Sequence, residues 1–163
     1  MINNRLQSKF TLMTVFVLAV LVFSCKKSAE TEADVMLDAN LLKSKGQYNE
    51  LLTKRESGAA TFSIENISRT NTTLSVHVKG GCAEQQFKLV WDGSIMESQP
   101  ARIRLVLINE GGRNCNPEQE TTVNVDLKKI IGAQPVSNFV FHVANGSSKQ
   151  DKSIDPDGAV HSR

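Results

Sequence analysis

Residues 61–79 read Thr-Phe-Ser-Ile-Glu-Asn-Ile-Ser-Arg-Thr-Asn-Thr-Thr-Leu-Ser-Val-His-Val-Lys, and this stretch decides the fold class. Leu74, Val76 and Val78 alternate with Ser75, His77 and Lys79, the period of a strand with one apolar face. Phe62 and Ile64 alternate with Ser63 and Glu65 in the same way, and the Asn-, Ser- and Thr-rich segment Asn66–Thr72 reads as the turn between them. Two alternating runs about a polar turn predict a β-hairpin.

The same period recurs downstream. Gly80-Gly81 breaks the second strand, and Phe87, Leu89 and Trp91 then alternate with Lys88 and Val90. Asp92-Gly93 reads as a turn. Ile103, Leu105 and Leu107 alternate with Arg102 and Arg104 before Gly111-Gly112. Val123, Val125 and Leu127 form another run, and Phe139, Phe141 and Val143 the last, closed by a predicted Asn145-Gly146 hairpin turn. Regularly spaced short strands with turn signals between them predict an all-β domain. It would be a single sandwich or barrel of about six or seven antiparallel strands.

Upstream the character changes. Residues 34–58 form an N-terminal segment of the domain, and 59–163 the β domain proper. Leu37 and Leu41 have helical spacing, but Gly46 interrupts, so one or two short helical turns are expected, with a strand from near Met36 as the alternative. Residues 25–33 are mostly small and polar and read as a flexible tether.

Residues 1–24 have the pattern of an export signal. Arg5 and Lys9 precede an apolar run from Phe10 to Phe23, interrupted only by Thr11 and Thr14. That run is about 14 residues, short of the roughly 20 a spanning helix needs, and a basic start before a short apolar stretch is the secretory pattern. It ends in Leu21-Val22-Phe23-Ser24-Cys25, which resembles a lipobox. The resemblance implies lipid attachment at Cys25, and multiple acyl chains give stable anchoring where one is marginal. Lys26 after that cysteine implies an outer-membrane destination, so the expected location is the cell envelope, tethered to the membrane through the lipid.

With the signal removed, 17 of the 19 basic residues remain against 17 acidic ones. A near-neutral chain lacks the electrostatic footprint of a nucleic-acid binder. The remaining cysteines, Cys82 and Cys115, would meet an oxidising compartment and are expected to form a disulfide. Closing a loop of roughly 34 residues would contribute about 4 kcal/mol in the chain-entropy account. Metal-binding thiolates are the rival reading, but no CxxC or nearby His supports them.

Candidate site residues are sparse. His77 and His142 sit in the polar phase of their strands and could share a metal if they met on one face, whereas His161 lies in the tail. His77, Lys79, Lys88, Arg102 and Arg104 all fall in an outward phase. If their strands adjoin, they form a basic patch suited to an acidic glycan, lipid headgroups or an envelope protein partner. Asp151, Asp155 and Asp157 superficially suggest a calcium loop, but the spaced Glu is missing and Pro156 with Gly158 indicates a turn. The segment 109–117 is polar and would be clamped by the disulfide, a place where a binding or protease-inhibitory loop could sit. No nucleophile elbow, zinc helix, P-loop or glycine fingerprint is present, and no cofactor is called for.

Val78-Lys79-Gly80-Gly81-Cys82, Phe87-Lys88-Leu89, Arg104-Leu105-Val106-Leu107 and Cys115 resemble a group of small bacterial lipoproteins of uncharacterised function. That resemblance implies an envelope location and a β fold, and no particular activity. Gln85 stands where relatives carry a His, so it implies no metal role. The expectation is a lipid-anchored, non-enzymatic binding or structural domain, with a metal-dependent hydrolase or a protease inhibitor as alternatives.

Overall fold

In the computed structural model, β3 (Phe62–Thr70) and β4 (Thr73–Gly80) form the expected antiparallel hairpin, with Phe62 opposite Gly80 and Thr70 opposite Thr73. The structure describes residues 33–55, 61–81, 86–110 and 116–163. The turn is confined to Asn71-Thr72, and Asn71 takes φ 53°, a left-handed conformation that Asn tolerates. The expected turn over Asn66–Thr72 is therefore too long. Its polar residues belong to β3, where Ser68 pairs with Ser75. A register shift between Ile64 and Asn66 leaves Glu65 as an extra residue. That bulge lets Ile64 and Ile67, three positions apart, both face the core. β7 (Glu120–Asp126) pairs with the other side of β4 and completes a three-stranded sheet, β3-β4-β7.

A second sheet has seven strands in the order β1-β2-β5-β6-β8-β9-β10. Its members are β1 (Val35–Asp38), β2 (Leu41–Lys43), β5 (Gln86–Met96), β6 (Ala101–Glu110), β8 (Phe139–Asn145), β9 (Lys152–Ile154) and β10 (Val160–Ser162). The protein is mostly β, as expected, and its two sheets pack like a sandwich. The described strands number ten rather than six or seven, because β1, β2, β9 and β10 are too short to show a period.

The strands are also not all antiparallel. β2–β5 and β6–β8 are parallel pairs. Parallel neighbours need a crossover. Between β6 and β8 the chain visits the small sheet as β7, then returns through the short helix α2 (Lys128–Ile131) and a 3-10 turn at Val136–Asn138.

The inner faces meet in one apolar core. Ile64, Ile67, Leu74, Val76, Val123 and Val125 from the small sheet pack with Leu89, Ile103, Leu105, Leu107, Phe141 and Val143 from the large one. Phe62 on β3 and Phe87 on β5 make an edge-to-face contact across the two sheets, with ring centroids 5.2 Å apart at 82°.

The N-terminal segment begins as strands β1 and β2, the alternative expected from near Met36, so the helical spacing of Leu37 and Leu41 does not make a helix; helix α1 (Lys45–Lys54) follows and runs through Gly46. Ser44 caps α1, its hydroxyl accepting from the Gln47 amide at 3.1 Å. α1 packs on the outer face of the large sheet, where Tyr48, Leu51 and Leu52 meet Val90, Val106, Ile108 and Ala144. This explains the uninterrupted runs Leu89-Val90-Trp91 and Leu105–Ile108, in which both faces are buried.

Two expected turns have other roles. Asp92-Gly93 lies inside β5, at a register shift between Trp91 and Ile95, and Gly93 takes φ 84°. A side chain there would be strained and would meet Lys43 Cε at 2.6 Å. Asn145 ends β8 fully buried, and only from Gly146 does the chain turn towards β9. The Gly146 amide donates to Leu107 O at 2.8 Å. A Cβ on Gly146 would lie 2.6 Å from that same oxygen, so close approach to β6 accounts for the glycine.

Candidate functional site

α1 covers only part of the large sheet's outer face. The rest is an open groove of about 830 Å³ across β6, β8, β9 and β10. Strand register builds its floor. Arg104 on β6 stands beside His142 on β8, His142 beside Ser153 on β9, and Ser153 beside His161 on β10. Directly paired residues share a sheet face, so these four form one row across the groove. The next row begins with Arg102 beside Val140. Met96 and Pro100 close one side, and Asp155, Pro156, Asp157 and Arg163 the other.

The boundary between helix and groove is a polar network. Arg104 Nη2 donates to Asp92 Oδ2 at 2.9 Å, and its guanidinium lies 5.7 Å from the centroid of the Tyr48 ring. Burial raises the pKa of the Tyr48 hydroxyl, partly opposed by the nearby Arg104. Arg55, the C-cap of α1, grips Asp151 through both terminal nitrogens, each bond 2.9 Å long. Asp151 Oδ1 also accepts from the Asn145 amide at 3.0 Å. His142 Nε2 approaches Asp151 Oδ2 at 3.9 Å, beyond a hydrogen bond.

Burial lowers the pKa of His142. Asp151 opposes this shift, while Arg163, Arg55 and Arg104 reinforce it. The folded protein therefore takes up a proton here at lower pH than the unfolded chain, whose histidine titrates near 6.5. This contribution to stability is fully present above pH 6.5 and is lost as pH falls through and below that value. His142→Gln is expected to flatten the acid-side decline. Urea midpoints of wild type and variant at pH 7.5 and 5.5 would measure this, and an equal decline in both refutes it.

The residues singled out from sequence divide between the two sheets. His77 and Lys79 are on β4 in the small sheet, and Lys88, Arg102 and Arg104 are on the large one. The expected five-residue basic patch is therefore not continuous, because consecutive runs joined different sheets. His77 Nδ1 lies 2.9 Å from Thr122 Oγ1, and Lys79 pairs with Glu118 at 2.8 Å. Hydrogen bonding to Glu118 raises the pKa of Lys79. Lys88 sits opposite Ile108, six positions along β6 from Arg102, and pairs with Glu110. Only Arg102 and Arg104 remain together, and both line the groove.

His77 and His142 likewise lie on separate sheets and do not meet. Among the described residues no group of three or more His, Cys, Asp and Glu side chains could hold a metal ion. The three C-terminal carboxylates diverge: Asp151 to Arg55, Asp155 to His161 at 3.0 Å, and Asp157 to the Ala159 amide at 3.0 Å. Cys25, Cys82, Cys115 and most of the proposed inhibitory loop, 111–115, lie outside the described residues.

Sequence reasoning missed Ser153, His161 and Arg163 as groove residues, and Tyr48 and Arg55 as its border. β9 and β10 have three residues each, too few to show a period. Ser153 makes no hydrogen bond to His142 among the described residues, and Asp151 is committed to Arg55, so these three do not form a proton relay. What the groove offers is guanidinium and imidazole groups, with the Asp155 and Asp157 carboxylates at one side, around a partly apolar floor. Compared with known proteins, the chain matches no family model, no curated protein and no solved structure.

Proposed function

We propose that this chain is a lipid-anchored cell-envelope protein, attached through Cys25, whose β domain binds a ligand without transforming it. The observation that carries the binding role is the uncovered, concave part of the large sheet's outer face, where Arg102, Arg104, His142 and His161 converge around Val140. Sites of about 300–1,000 Å³ with a few convergent polar groups suit small ligands, and this groove is about 830 Å³. The anchor rests on the lipobox-like Leu21–Cys25 and the basic, then apolar, leader. An envelope protein or a glycan remains the kind of partner such a tethered domain would meet, and Lys26 favours the outer membrane.

A Cys82–Cys115 disulfide belongs to the same proposal. The residues next to these cysteines, Gly81 and Asn116, are joined by a 2.7 Å bond from the Asn116 amide to Gly81 O. That bond supports the pairing by holding the flanking backbone together.

Metabolic labelling with a fatty acid, together with membrane fractionation, tests the anchor. Cys25→Ser is expected to abolish labelling and release the protein from the membrane fraction, and unchanged labelling refutes it. For the groove, a solute extract of the envelope should raise the melting temperature of the purified full chain, because a ligand selective for the folded state stabilises it. Val140→Trp, filling the floor, should remove that shift. An equal shift in the variant would place binding elsewhere.

A further inference from the structure

Arginines stand on both sides of the groove, and on the second side Arg163 shares the wall with Asp155 and Asp157. Arg102 and Arg104 stand on β6, and Arg163 directly follows β10. β6, β8, β9 and β10 are successive neighbours, so the walls are three strand spacings, about 14 Å, apart across the sheet, and Arg163, paired with Asp151, is also offset along it from Arg102. Among the described residues the guanidinium groups of Arg102 and Arg163 make no hydrogen bond or ion pair. Arg104 is held in place by Asp92. The acidic groups at the rim are engaged: Asp155 with His161, and Asp157 with the Ala159 amide. Since the chain beyond the signal carries 17 basic and 17 acidic residues, the gathering of two arginines without a partner among the described residues in one groove is a property of the fold rather than of composition.

We infer that the groove takes a small ligand bearing two or more anionic groups, carboxylates or phosphates, one against Arg102 and Arg104 and another against Arg163. The inference rests on the groove being the ligand site. A guanidinium fork matches either anion with two parallel hydrogen bonds. Ser153 supplies a hydroxyl on the floor between the walls, and Val140 and Met96 supply apolar surface for the ligand's skeleton. A ligand with spaced anionic groups meets an arginine on each side at once, so the arrangement favours multiple charges over one.

Isothermal titration calorimetry of the full chain in detergent tests this with four probes: tripolyphosphate, tricarballylate, inorganic phosphate and glycerol. Tripolyphosphate or tricarballylate is expected to bind at least tenfold more tightly than inorganic phosphate, with glycerol silent. Which of the two binds more tightly tells whether phosphate or carboxylate is the natural group. Arg102→Glu and Arg163→Glu should each weaken binding at least tenfold. Both residues are exposed, so their replacement leaves the core intact. Lys129→Glu, an exposed change on α2, should leave binding unaltered. The inference is overturned if neither polyanion binds, if inorganic phosphate binds as tightly, or if Lys129→Glu weakens binding as much as the arginine variants. A Val140→Trp-sensitive melting shift from envelope solutes, with no polyanion binding, would leave the groove as a ligand site while refuting its anionic ligand.

Discussion

Asp151→Ala is expected to cost the fold about 3–5 kcal/mol, the largest loss from a polar substitution in this domain. Asp151 is only 9% exposed and joins three parts of the structure. Its carboxylate takes two 2.9 Å bonds from Arg55 at the end of α1 and one 3.0 Å bond from the Asn145 amide at the end of β8. Its own backbone pairs with Arg163, at 3.1 Å and 3.0 Å. Alanine would leave the Arg55 guanidinium, whose side chain is 12% exposed, without its counter-charge. It would also leave the Asn145 amide without an acceptor. Removing one partner of a buried pair is costly because the other charge stays desolvated, whereas replacing both can be nearly neutral. The double variant Arg55→Met/Asp151→Leu should therefore be more stable than Asp151→Ala. Urea unfolding of the three proteins measures this, and a loss below about 1 kcal/mol for Asp151→Ala would sink the argument.

Asn145→Ala should cost about 2–5 kcal/mol, since each orphaned buried group costs roughly 1–3. Asn145 is fully buried at the end of β8. Its Nδ2 donates to Phe62 O on β3 at 2.9 Å, tying the large sheet to the small one. Its Oδ1 accepts from the Ser147 amide at 2.8 Å and from the Ser147 hydroxyl at 2.9 Å. Ser147→Ala removes only the hydroxyl bonds and should cost about 1 kcal/mol. Similar losses for the two variants, read from the same unfolding curves, would show that the inter-sheet bond carries little.

The roles of Asp151 and Asn145 mark where sequence reading reached its limit. Asn145-Gly146 does lead into the turn from β8 to β9, but neither residue takes the positive φ for which such a pair is favoured. Nothing local reveals that the Asn145 side chain points inward to Phe62, some eighty positions earlier. Asp151 looked like part of an acidic turn cluster, yet its partner is the cap of a helix far back in the chain. Asp92-Gly93 has the composition of a turn, and the same left-handed freedom that suits glycine to turns suits it to a bulge within β5. Only the pairing of β6 along the full length of β5 distinguishes the two.

By itself the sequence determined the alternation that makes the long strands and chooses their inward residues. Leu74, Val76 and Val78, then Ile103, Leu105 and Leu107, then Phe139, Phe141 and Val143 are all buried as their period demands. Period-two alternation is legible because each residue's face depends only on its immediate neighbours. The tertiary structure alone decided which sheet each strand joined, and so separated His77 and Lys79 from Arg102 and Arg104. It also made two pairings parallel, laid α1 over part of the large sheet, and added the three-residue strands β9 and β10 beyond β8 to complete the groove. These outcomes depend on hydrogen bonds between segments far apart in the chain and on how two sheets share one core, energies that no local pattern of residues records.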